Sequence, residues 1–167
     1  MISKDIKNNE LEYSFSESIR SGLKNATKVI SNLNEIERIF SKASNDISKV
    51  LEDDKVEIKL RDHSGASYLM ALIGKVDIEK MSNSGIISII REDKKFDFAT
   101  WSQDKEGFPF TITYEGAKYK CTDSKSLIAF LNNLFSNGAF WFKAESKIYP
   151  DKIVSDLKKP RPRLRKL

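Results

Sequence analysis

Val56-Glu57-Ile58-Lys59-Leu60-Arg61 alternates apolar and charged residues without a break, and variants of that alternation recur as far as Cys121. A period of two is the signature of a strand with one wet and one buried face. On this reading, residues 56–61 form a strand, 62–65 a turn, and 67–73 the returning strand of a hairpin. The apolar run 86–90 belongs in the middle of the sheet, covered on both faces. Residues 96–102 follow, with Phe96, Phe98 and Thr100 on one face and Asp97, Ala99 and Trp101 on the other. Pro109 gives no ladder donor, which marks 108–114 as an edge or bulged strand, open to pairing with another chain. Glu115-Gly116 has two-residue hairpin spacing before a last strand at 117–121. The expectation is an antiparallel meander of about six strands, an ordinary sheet size.

Helical periods flank the sheet. Ser14 and Glu17 have the spacing of a capping box. Leu23, Ala26, Ile30, Leu33, Ile36, Phe40, Ala43, Ile47 and Val50 then recur in steps of three and four, drawing one continuous stripe. Gly22 and the run 32–34 are weak points that allow two helices in place of one. The near-heptad spacing suits a coiled-coil seam. Its short span and lack of regular flanking charge pairs favour the buried face of a helix on its own sheet. Downstream of the sheet, Asp123 is an N-cap for a stripe of Leu127, Ile128, Phe130, Leu131, Leu134 and Phe135, with Asn137-Gly138 as its left-handed end. A last short helix is expected at 151–159. The fold class is therefore α+β: an N-terminal amphipathic helix or helical pair, an antiparallel meander and a C-terminal core helix. The division is a flexible start at 1–13, one α+β domain at 14–157 and a basic flexible tail at 158–167.

The chain of 167 residues carries a formal charge of +5, unevenly spread. Residues 1–54 hold 8 basic and 10 acidic side chains, 55–122 hold 11 and 10, and 123–167 hold 10 and 4. The excess sits at one end, as expected of a near-neutral body with a basic segment for an acidic partner. Lys158, Lys159, Arg161, Arg163, Arg165 and Lys166 are the candidate nucleic-acid contacts, neutralising phosphates without reading sequence. The aromatic trio Phe140, Trp141 and Phe142 reads as core before it reads as a stacking platform for bases.

Catalytic motifs are weak. Glu57-Ile58-Lys59 matches the Glu-x-Lys pair that Mg²⁺-dependent nucleases carry on a strand, with Asp46, Asp53 or Asp54 as the second carboxylate. The same triplet arises on the wet face of any alternating strand. His63 stands alone in a turn and Cys121 reads as a small core residue, so no metal ligand set can be written. No glycine-rich phosphate cradle is present, and no cofactor is expected. Without a signal-like start or a membrane-length apolar run, the expected setting is cytoplasmic, in a bacterial-type cell or wherever a virus directs the chain. The expected function is non-enzymatic: a binding or regulatory protein contacting DNA or RNA through its basic segment. The alternatives are a protein–protein interaction module (an inhibitor, immunity factor or accessory subunit, dimeric through the N-terminal helix) and the nuclease.

Overall fold

The computed structural model describes residues 14–62 and 84–152. Helix α1 spans Ser16–Val50 as one uninterrupted rod, so neither Gly22 nor the asparagines at 32 and 34 break it. Its start differs from the capping-box expectation: the N-cap is Phe15 without a side-chain cap, and the Ser14 hydroxyl lies 3.1 Å from that of Ser16. Its end is a Schellman turn. The Asp53 amide donates to the Ser48 carbonyl at 3.1 Å and the Glu52 amide to that of Lys49 at 3.3 Å. Glu52 holds φ at +52° to close it, a position that normally falls to glycine.

Among the described residues five strands follow: β1 (Val56–Asp62), β2 (Ser84–Arg91), β3 (Lys94–Gln103), β4 (Phe110–Tyr114) and β5 (Ala117–Cys121). They form one antiparallel sheet in chain order. The expected strand at 67–73 lies outside the described residues. The partner of β1 is β2, with Ile58 opposite Ile89 and Leu60 opposite Ile87. Strand β4 corrects the proline reading. Pro109 precedes the ladder in a cis peptide bond, and β4 lies between β3 and β5, so its backbone is not open to edge pairing. Among the described strands, β1 and β5 are the outer ones.

A bulge also corrects the alternation expected on β3. Ile87 opposes Ala99 while the next residue, Ser88, opposes Asp97, which leaves Phe98 as the extra residue. The pleat is reset there. Phe96 and Phe98 both reach the ring of Phe140, at 5.7 and 5.1 Å, while Ala99 and Trp101 beyond them also enter the core. The β4–β5 turn follows its sequence: Glu115 and Gly116 hold φ at +49° and +82°, the pair of positive values that a two-residue hairpin of this twist requires.

Helix α2 (Ser124–Phe135) begins at the Asp123 cap, whose carboxylate accepts from the Ser126 amide at 2.8 Å while the Ser126 hydroxyl accepts from the Asp123 amide at 3.1 Å. Asn137 does not end this helix. It is the N-cap of α3 (Gly138–Ile148), its carbonyl oxygen accepting from the amides of Ala139 and Phe140. The aromatic trio therefore lies on a helix and separates by face: Phe140 is fully buried, Trp141 half-buried with its indole N–H on the Phe135 carbonyl at 2.7 Å, and Phe142 exposed. The three helices cover one face of the sheet around a core that includes Phe110, Phe140, Ile87, Ile89, Ile112 and Leu127. No helix among the described residues is long and apolar enough to cross a membrane.

Candidate interaction surface

Only the second half of α1 belongs to that core. Ile36, Ile39, Phe40 and Ile47 are buried, whereas every residue from 14 to 28 is exposed. Ile19 is 59 % exposed, Leu23 65 % and Ile30 49 %. The stripe expected to run unbroken is two stripes. From Ile19 the steps to Leu23, Ala26, Ile30 and Leu33 are four, three, four, three; Ile36 then follows after another three. Two consecutive steps of three turn the apolar face by about 100° at 3.6 residues per turn, so the sheet meets the second stripe and leaves the first outside. Lys24 and Lys28 lie on the opposite side of the rod from the exposed stripe, and Arg20 flanks it.

A second apolar surface is an open groove of about 940 Å³ between the buried half of α1 and helices α2 and α3. Ile39, Ala43 and Ile47 form one wall; Ile128, Phe135 and Trp141 line the other. Its α1 rim carries charges already engaged with one another, Arg38 with Glu35 at 3.9 Å and Lys42 with Asp46 at 2.5 Å.

Of two polar clusters, one ties the sheet to the segments around it and the other ties three of its strands to one another. Where α1 hands over to β1, the Asp53 carboxylate accepts from Arg91 Nε at 2.6 Å, from Tyr149 Oη at 2.9 Å and from the Lys55 amide at 3.0 Å. The Arg91 bond, with the Lys55 amide and the Tyr149 hydroxyl behind it, holds Asp53 at about 2. Burial, reinforced by the Asp53 carboxylate, pushes the Tyr149 phenol up to about 12. On the sheet face away from the helices, Arg61 donates to Ser88 Oγ at 3.0 Å and to Asp97 Oδ1 at 2.7 Å, and the fully buried Ser88 hydroxyl donates to the same carboxylate. Burial raises Asp97, but the Ser88 hydroxyl, Arg61 and Lys95 outweigh it and leave the group below its ordinary value. Both clusters spend their donors and acceptors on each other, which is the pattern of a structural network.

The candidate nuclease residues do not converge. Lys59 Nζ lies 2.6 Å from Glu57 Oε1 on the wet side of β1. Asp46 is held by Lys42 and Asp53 by Arg91, and Asp54 is exposed. Among the described residues no three His, Cys, Asp or Glu side chains gather as a metal site. Cys121 is buried, and burial pushes its thiol up, away from a reactive thiolate. His63 and the basic candidates Lys158, Lys159, Arg161, Arg163, Arg165 and Lys166 lie outside the described residues. Ile19 was missed by the sequence reading, although its four-residue step to Leu23 extends the same spacing. No family model matches the chain, and neither a curated protein nor a solved structure matches it.

Proposed function

We propose that the protein is a non-enzymatic interaction module whose working element is the first half of α1. One observation carries this reading: a helical arm of about four turns stands clear of the core with Ile19, Leu23 and Ile30 roughly half to two-thirds exposed on one side. Large apolar side chains aligned over that length are the anchors by which helices are recognised. A photo-crosslinking residue at position 23, introduced in the native cell, tests it. The reading expects a covalent adduct that Ile19→Glu and Ile30→Glu together abolish; absence of any adduct overturns it.

The charge distribution favours a second reading, in which Lys158, Lys159, Arg161, Arg163, Arg165 and Lys166 bind nucleic acid electrostatically. A salt titration of DNA and RNA binding, with and without residues 158–167, tests that contribution separately. It expects affinity that falls steeply with salt and is lost on truncation, and no binding at low salt overturns it.

A further inference from the structure

We propose that the partner of the exposed half of α1 is a second copy of this chain, the two helices joining through Ile19, Leu23, Ala26, Ile30 and Leu33 in a short two-stranded coiled coil. The inference rests on the reading of α1 as the interaction element and names what it binds.

The repeat is the first argument. Steps of four, three, four, three average 3.5 residues, the spacing of a seam between two supercoiled helices, and narrower than the face a helix lays on a sheet. A helix with the same repeat interdigitates with it, and a second copy brings one of identical length and composition.

Electrostatics point the same way. With Leu23 and Ile30 at a and Ile19, Ala26 and Leu33 at d, the flanking e and g positions are Arg20, Thr27, Asn34, Gly22, Val29 and Ile36. Only Arg20 is charged, and Glu17, Lys24 and Lys28 lie at outer positions. Chains that select a different partner write the choice in flanking charges; here there is nothing to repel a like copy and nothing to call for an acidic one.

The arm also needs the burial. A protruding helix of this length is marginal in water, and Gly22 costs it about 1 kcal/mol relative to alanine. Among the described residues, no heavy atom beyond its chain neighbours and the helix's own backbone lies within 4 Å of the place a Gly22 side chain would occupy, so that glycine serves no close contact there. The core-facing side of α1 is turned by about 100° from the seam, which leaves the body out of the partner's path. Five partly exposed residues per helix make a small seam, below the roughly 1,200 Å² at which standard specific interfaces begin, so the expected dimer is weak and populated only as concentration rises.

Sedimentation equilibrium of the full chain, from about 1 μM to about 500 μM, reads this directly. The average mass is expected to climb toward twice that of the monomer. Leu23→Glu with Ile30→Glu should hold it at the monomer mass with an unchanged thermal midpoint, because these side chains lie outside the core. Lys24→Glu with Lys28→Glu, at the outer positions, should leave the climb intact. A mass that stays monomeric throughout, or a climb that survives the seam substitutions, overturns the proposal. If the purified chain stays monomeric while position 23 crosslinks to another protein in the cell, the second copy is wrong and the interaction module stands; if neither occurs, both fall.

Discussion

Asn32 on α1 donates from Nδ2 to the backbone carbonyl of Glu106, in the loop between β3 and β4, at 2.8 Å. It is the most N-terminal hydrogen bond from α1 to another element among the described residues, and it marks where the rod leaves the body. Beside it Gly107 holds φ at +94°, and a Cβ there would come within 2.7 Å of the Asn32 Cβ. Gly107→Ala is therefore strained both in backbone and in space, and should cost about 1–3 kcal/mol in denaturant unfolding. The loss should be absent for Gly116→Asn, since Gly116 has a positive φ that asparagine tolerates and, among the described residues, no heavy atom within 4 Å of its would-be Cβ.

Phe140 is the hub of the aromatic core, with the rings of Phe96, Phe98, Tyr114, Phe135 and Trp141 within 6.4 Å of it. Truncating it to alanine should cost about 3–5 kcal/mol. Phe142→Ala, two residues on and 68 % exposed, should stay within about 0.5 kcal/mol of the parent. Equal losses from the two would contradict the facing of α3.

Helix ends respond to single changes. Glu52→Gly relieves a left-handed φ in the Schellman turn and should stabilise the fold by about 0.5–1 kcal/mol. Asn137→Ala removes the acceptor for the first amides of α3 and should destabilise it by about 1 kcal/mol. Thermal unfolding followed by circular dichroism resolves both signs.

The Asp53–Arg91–Tyr149 cluster sets a pH dependence at each extreme. Asp53 lies at about 2 in the fold against an ordinary 3.8, so its contribution is complete above about pH 4 and is lost as pH falls from there toward 2. Tyr149 is raised from 10 to about 12, so the fold favours its neutral form, and that contribution is complete below about pH 10 and is lost as pH rises toward 12. Asp53→Asn should flatten the acid limb of stability against pH, and Tyr149→Phe the alkaline limb.

What the sequence made legible was local. The Glu115-Gly116 turn, the Asp123 cap and the buried Cys121 each follow from neighbouring residues, as does the antiparallel α+β class from period and order. What failed depended on contacts distant in sequence. The bulge at Phe98 exists only against Ile87 and Ser88 of the neighbouring strand, and the interior position of β4 depends on β5 closing over it despite Pro109. Asn137 reads equally as the end of one helix or the start of another until α3 is seen to leave from it. The double step of three at Ile30, Leu33 and Ile36 was visible, but only the sheet shows which side of it is covered.

The account stands on the exposed half of α1 being an association surface. Amide hydrogen exchange over residues 17–31, compared between dilute and concentrated solutions of the full chain, tests it most directly. Fast exchange when dilute that slows as concentration rises, with residues 36–47 protected throughout, is the expected result. Strong protection of 17–31 that dilution does not change would mean that the chain covers this stripe by itself, contradicting the account.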